Sequence, residues 1–269
     1  EEYLGSGNPE YVAEYTSSFE GIRELARIVS EKSGGQDMLT TGPGHMIFAY
    51  MRQSHEPFIY EDGKINTEVL LSSLEFLKEL IDLGSLTYIE GGNPNAMVQV
   101  HNQGRLFGEV AGPWGLQYYF QYGLPDEVGT FRSTSFVPDL NGYWGLNVSP
   151  FSDHIQVAVD SIKAFVTDPD KMLTLLGPTY DFPLSQEVID MMSEMSSDYL
   201  GGQAPIQDWI AAAEDLSIGP EYQEKSNRVF QFTGPVFQTM VQDRSVTPEE
   251  GLEMLVDAIM TNMPGTYVE

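Results

Sequence analysis

The chain contains no cysteine. That excludes disulfides, zinc–thiolate sites, iron–sulfur clusters and cysteine nucleophiles. It says little about redox compartment, because many exported prokaryotic proteins also lack cysteine. Basic residues are scarce: 13 Lys and Arg stand against 40 Asp and Glu, for a net charge of −27. So negative a surface repels nucleic acid and anionic membranes, which discounts both as partners. Long apolar runs are also missing. The longest near the middle, Met46 to Met51, falls far short of the ~20 residues a membrane helix needs. No signal peptide or lipid-anchor pattern is visible. The chain starts at Glu1 rather than Met, so this absence does not fix the compartment.

Catalytic and cofactor signatures are thin. Gly42-Pro43-Gly44 lacks the third glycine of a dinucleotide loop, and Gly63-Lys64 is followed by Ile65 rather than Ser or Thr. There is no Gly-x-Ser-x-Gly elbow. His45, His55, His101 and His154 are never three or four apart, so a helical His–His metal site is not expected. Asp139-Leu140-Asn141-Gly142 begins like a calcium loop but lacks the later ligands, and reads as a turn. Paired carboxylates for glycoside hydrolysis are not excluded. With 40 acids, however, any particular pair is uninformative, and a solvated acidic surface accounts for them. Neither a cofactor nor a catalytic residue is assigned.

What is present is globular. Hydrophobic residues make up 41% and aromatics 12%, enough in 269 residues for one large domain or two lobes. The acid is spread along the chain. Such a charge with few lysines suits concentrated salt, where repulsion is screened; a halophilic source and an acidic mesophilic one both remain open.

Periodicity predicts a helix-rich α/β chain with few, short strands. Residues up to Thr16 read as irregular. Phe19, Ile22, Leu25, Ala26 and Val29 form a helical stripe stopped by Gly34-Gly35. Thr40 to His45 is a loop, Met46 to Met51 a buried helix, and Asn66 caps a helix closed by Gly84. Ala96 to Asn102 is a short helix and Trp114 to Tyr122 an aromatic-rich one. Strands are expected at Leu106–Val110, Val128–Ser133 and Tyr143–Val148. Ser152 or Asp153 caps a helix reaching Val166. Further helices run over Ser185–Met195, Pro205–Leu216 and roughly Val236–Gln242. Thr247, Pro248 and Glu250 form a capping box for the last, ending near Thr261.

Asn102 to Leu116, NQGRLFGEVAGPWGL, is the most informative stretch. An apolar strand breaks at Ala111-Gly112-Pro113 and delivers Trp114 to its end. An indole just past a Gly-Pro break can face a cleft; ordinary core at a strand–helix junction is the alternative reading.

In this order, four passages resemble the extracellular solute-binding proteins of ABC importers, family 1: Ile65–Leu86, Met97–Leu116, Asn141–Asp170 and Ser245–Ile259. The resemblance implies a periplasmic-binding-protein-like type II fold of two α/β lobes, with ligand in the interlobe cleft. It begins in the middle of the family pattern, so most of the first lobe would precede Phe19. Residues 1–132 and 178–269 would be the second lobe, and 133–177 a strand–helix unit completing the first.

The resemblance also implies site residues. Trp114 matches the tryptophan that stacks on a pyranose face, with Gly112 and Pro113 setting its turn. Pro43, Gly44 and His45 fall on a cleft-lining loop, Tyr143 and Trp144 on the returning strand, and Phe232 and Thr233 on a further wall. The alternative for each is core packing. The implied function is binding without chemistry: a small-molecule solute, foremost a carbohydrate, handed to an ABC transporter permease. The implied location is extracytoplasmic, with membrane contact only through an upstream lipid anchor. A receptor for another solute and a glycoside hydrolase are the rivals.

Overall fold

The computed structural model describes residues 3–87, 94–137, 147–214, 216 and 219–268. By contact the chain divides into two compact units. One comprises Glu1–Val110, Phe136–Asp139 and Asp215–Glu269; the other comprises Ala111–Ser135 and Leu140–Glu214. These cuts differ from the lobe boundaries expected above: residues 111–135 and 178–214 group with 140–177.

The first unit is built on helices α1 (Pro9–Thr16), α2 (Phe19–Ser33), α3 (Pro43–Arg52), α4 (Thr67–Asp82) and α5 (Pro94–Asn102). The α2 stripe is buried as its spacing predicts, and Gly34 ends the helix at φ 65°. α1 corrects the irregular start expected there. Asn8 accepts the Glu10 N–H and Pro9 occupies the first turn, a start signal written in the sequence. α3 likewise begins at Pro43, earlier than expected, because proline is preorganised for a helix's first turn.

The unit's extended segments are short. Met38 bridges Leu106 and Thr40 bridges Leu86, both parallel. Met38 N–H donates to Arg105 O at 2.7 Å, Phe107 N–H to Met38 O at 2.8 Å, and Leu39 N–H to Ser85 O at 2.8 Å. Three parallel segments linked through helices are the residue of an α/β sheet. The expected Leu106–Val110 strand is therefore extended chain held by one bridge.

For this unit, α10 (Glu224–Gln242) and α11 (Pro248–Asn262) complete the packing. The Thr247–Glu250 capping box forms as expected. α10 starts twelve residues before the expected Val236 and passes through Pro235. An interior proline costs a helix ~3 kcal/mol. Burial of Val229, Thr233, Val236, Phe237 and Met240 on one face offsets it. The core is one cluster joining α2, α3, α4, α10 and α11. Tyr50 stacks on Phe76 at 4.4 Å and Phe48 packs on Phe230 at 4.2 Å. The buried Arg52 guanidinium lies 4.4 Å from the Phe230 ring centre.

The second unit holds α6 (Ile155–Val166), α7 (Pro169–Leu176), α8 (Gln186–Met192) and α9 (Ile206–Glu214). Asp168 and Pro169 start α7, a helix beyond those expected above; the Asp168 carboxylate accepts the Lys171 N–H. The α6 cap is His154, not Ser152 or Asp153, and Ser152 Oγ accepts its N–H instead. Two small clusters form here. Leu116, Tyr199 and Leu200 are packed by Phe120 and Phe131; Val188, Met192 and Ile206 are packed by Leu173 and Trp209. Tyr199 Oη lies 2.8 Å from Leu124 O, and burial pushes its pKa up to about 12. The expected strand at Val128–Ser133 opens instead as a turn, where Gly129 at φ 77° gives its N–H to Tyr199 O. Tyr143 and Trp144 lie outside the described residues.

Candidate functional site

The Gly-Pro-Trp segment is a tight turn. Gly115 N–H donates to Gly112 O at 2.9 Å and Leu116 N–H to Pro113 O at 3.2 Å. A side chain at residue 112 would put its Cβ 2.8 Å from Trp114 Nε1, so only glycine lets the indole lie back on the turn. Trp114 is half-buried and meets Tyr119 edge-on at 5.0 Å. The expected helix from Trp114 to Tyr122 is instead this turn followed by a π-helical segment, Leu116–Gln121, whose wider spacing shows in Tyr122 N–H bonding Gln117 O.

That segment sorts its aromatics. Phe120 turns inward against Phe131 at 4.7 Å. Tyr118 and Tyr122 are 54% and 66% exposed and meet edge-to-face at 6.0 Å. Gln117 Nε2 donates to Tyr122 Oη at 2.9 Å, tying one phenol in place. Two exposed rings beside a half-buried indole offer flat, rigid surface with polar tips. The sequence reading named only Trp114 here; the run Gln117-Tyr118-Tyr119-Phe120-Gln121-Tyr122 carried the signal for the rest.

In the first unit, Pro43 is buried and Gly44 and His45 are half-buried in the first turn of α3. Phe232 is half-buried against the core. Thr233 is fully buried, its hydroxyl donating to Phe230 O at 2.9 Å. α3 packs on α10 through Phe48 and Phe230, so these two segments share one packed region. Gly112, Pro113 and Trp114 belong to the other unit.

One residue was missed altogether. Glu109 stands in the apolar stretch three residues before Gly112. Its Oε1 accepts the Thr40 hydroxyl at 2.8 Å, and its Oε2 accepts the Thr41 N–H at 3.0 Å and hydroxyl at 2.5 Å. Burial holds this carboxyl above its ordinary pKa, against the pull of those donors. A lone acid inside LFGEV was the available clue.

Among the described residues no cluster of three or more His, Asp or Glu is placed to hold a metal ion. None of the described helices is long and apolar enough to cross a membrane.

No family model matches the chain, and no curated protein matches it. Solved structures do. The GacH receptor of Streptomyces glaucescens, solved unliganded and with acarbose, is similar over 97% of this chain and 68% of its own, with TM-score 0.69 and 13% identity. An extracellular solute-binding protein of family 1 is similar over 95% of this chain and 66% of its own, with TM-score 0.74 and 12% identity. The galacto-N-biose/lacto-N-biose I-binding protein of a Bifidobacterium longum ABC transporter is similar over 97% and 67%, with TM-score 0.67 and 15% identity. The chain therefore shares the periplasmic-binding-protein-like fold of these proteins over about two thirds of their length.

Proposed function

We propose that the chain is the larger part of the substrate-binding component of an ABC importer, and that its solute is a carbohydrate. The observation that carries this is the aromatic surface after the Gly-Pro turn: half-buried Trp114 against Tyr119, with exposed Tyr118 and Tyr122 following. A pyranose presents an apolar C–H face and a rim of hydroxyls. Flat rings whose position costs little entropy suit the face, and phenol and amide tips suit the rim. Binding needs no nucleophile, and the permease partner and extracytoplasmic place follow from the same reading. Net charge −27 fits service in concentrated salt.

The lobe assignment is part of the proposal. Residues 133–177 complete a first lobe whose remainder lies in polypeptide outside this chain. α6 supports this. Ile155, Phe165 and Val166 lie exposed on one helical face, and α6 has no buried residue among those described. An apolar stripe of that kind is built to be covered.

A thermal-shift and titration series in high salt against mono- and oligosaccharides tests the reading. Saturable stabilisation by one sugar class, without its breakdown, is expected. Trp114→Ala should weaken that binding about tenfold or more, the scale of one lost aromatic anchor. Stabilisation by amino acids, peptides or polyols alone would move the assignment to another solute. Sugar hydrolysis would move it to a glycoside hydrolase.

A further inference from the structure

Resting on that reading of a solute site, we propose that Glu109 is the positioning residue that sets the turn carrying Pro43, Gly44 and His45. It does so through the Thr40-Thr41-Gly42 backbone it holds.

The case begins with α3. Its first backbone N–H groups have no partner within the helix. Its N-cap, Gly42, has no side chain with which to cap them, and no side-chain cap bond is formed. Glu109, from a distant part of the sequence, instead holds the residues that lead into the helix: Oε1 accepts the Thr40 hydroxyl, Oε2 accepts the Thr41 N–H and hydroxyl, and Thr40 Oγ1 in turn accepts the Gly42 N–H at 3.3 Å. Thr40 and Thr41 are both buried and Glu109 is half-buried between them and the surface. A buried carboxylate is costly unless its lone pairs are filled; here both oxygens are.

Gly42 confirms how tightly the clamp closes. Its φ is −125°, open to any residue, so no backbone preference calls for glycine there. A Cβ at that position would instead lie 2.9 Å from Glu109 Oε1, so a larger residue would press on the carboxylate.

Pro43, Gly44 and His45 follow directly from the residues that Glu109 holds. Glu109 reaches no ligand; it fixes where ligand-facing groups start.

The test is amide exchange on the ligand-free protein, with titration of acarbose and lacto-N-biose by tryptophan fluorescence. Glu109→Ala should speed exchange at residues 41–46 about tenfold while the α11 amides keep their protection. Affinity for whichever probe the wild type binds should fall about tenfold. Glu109→Gln, which keeps one acceptor oxygen, should recover part of both. If Glu109→Ala fails to fold, Thr41→Val removes one donor and should move both readouts in the same direction, by less. Unchanged exchange at 41–46 in a folded variant would overturn the proposal. So would faster exchange with wild-type affinity. Should the wild type bind no sugar or other solute, the proposed function falls, and the exchange readout alone decides whether Glu109 sets the turn.

Discussion

The two units put comparable helices to different use. In the first, α2, α3, α4, α10 and α11 all bury a face in one continuous cluster, with Phe58, Phe76 and Phe237 sealed from water. In the second, burial is split between two clusters of three buried residues each, and α6 contributes none. Stability scales with contiguous apolar burial. The first unit thus has one continuous core, whereas among the described residues the second has two small ones and leaves apolar side chains of α6 exposed. The contrast teaches that an amphipathic helix can be correctly formed, with its spacing plain in the sequence, and still leave its apolar residues exposed.

The strongest way to break this comparison is a pair of truncations. Phe237→Ala empties a fully buried site on α10 and should cost about 3–5 kcal/mol in urea unfolding. Phe165→Ser on α6 should change stability by less than about 0.5 kcal/mol. A large loss at Phe165 would mean that its face is already covered.

Within the second unit, Tyr199 is the expected keystone. Its ring stacks on Phe131 and its hydroxyl meets Leu124 O. Tyr199→Phe removes that hydrogen bond while Leu124 O keeps the Glu127 N–H, and should cost about 0.5–1.5 kcal/mol. A neutral result would show that this cluster contributes little.

Helix starts give a finer contrast. Thr247→Ala removes a complete capping box from α11 and should cost about 1 kcal/mol. His154→Asp gives α6 the side-chain cap it lacks and should gain about 0.5 kcal/mol, visible as a raised melting temperature.

The smallest effect is in pH. The folded Glu109 pKa is raised, so between the ordinary glutamate value, about 4.3, and the folded one, the folded state holds more protons. Stability from this group is then greatest below that window and is lost as pH rises through it. Wild type minus Glu109→Gln, followed by urea unfolding as pH rises from the ordinary glutamate value of about 4.3, should show that decline. A difference that grows with pH would contradict the raised value.

Much of the helical frame was legible. Caps, proline at first turns and stripes at helical spacing are local, and local rules found α2, α4, α11 and the core of α3. α1 and α7 are just as legible, since Asn8-Pro9 and Asp168-Pro169 carry the same signal. Strands were not legible. Leu106–Val110 looks like a strand, yet a strand's extent is set by its partners, and here the described pairing runs only along Met38 and Leu39. Pro235 misled in the opposite direction, because a local penalty of ~3 kcal/mol was outweighed by burial along α10.

The site divides the same way. By itself the sequence determined that Gly112 and Pro113 turn the chain and present Trp114, because glycine's lack of a Cβ and proline's fixed φ act within a few residues. Only the tertiary structure decided that Phe120 turns inward while Tyr118 and Tyr122 face out, that Thr233 is consumed by the core, and that Glu109 closes on Thr40 and Thr41 across nearly seventy residues. A hydrogen bond between distant segments leaves no trace in local spacing. It exists only once packing has brought its two ends together and driven out the water that would otherwise serve both.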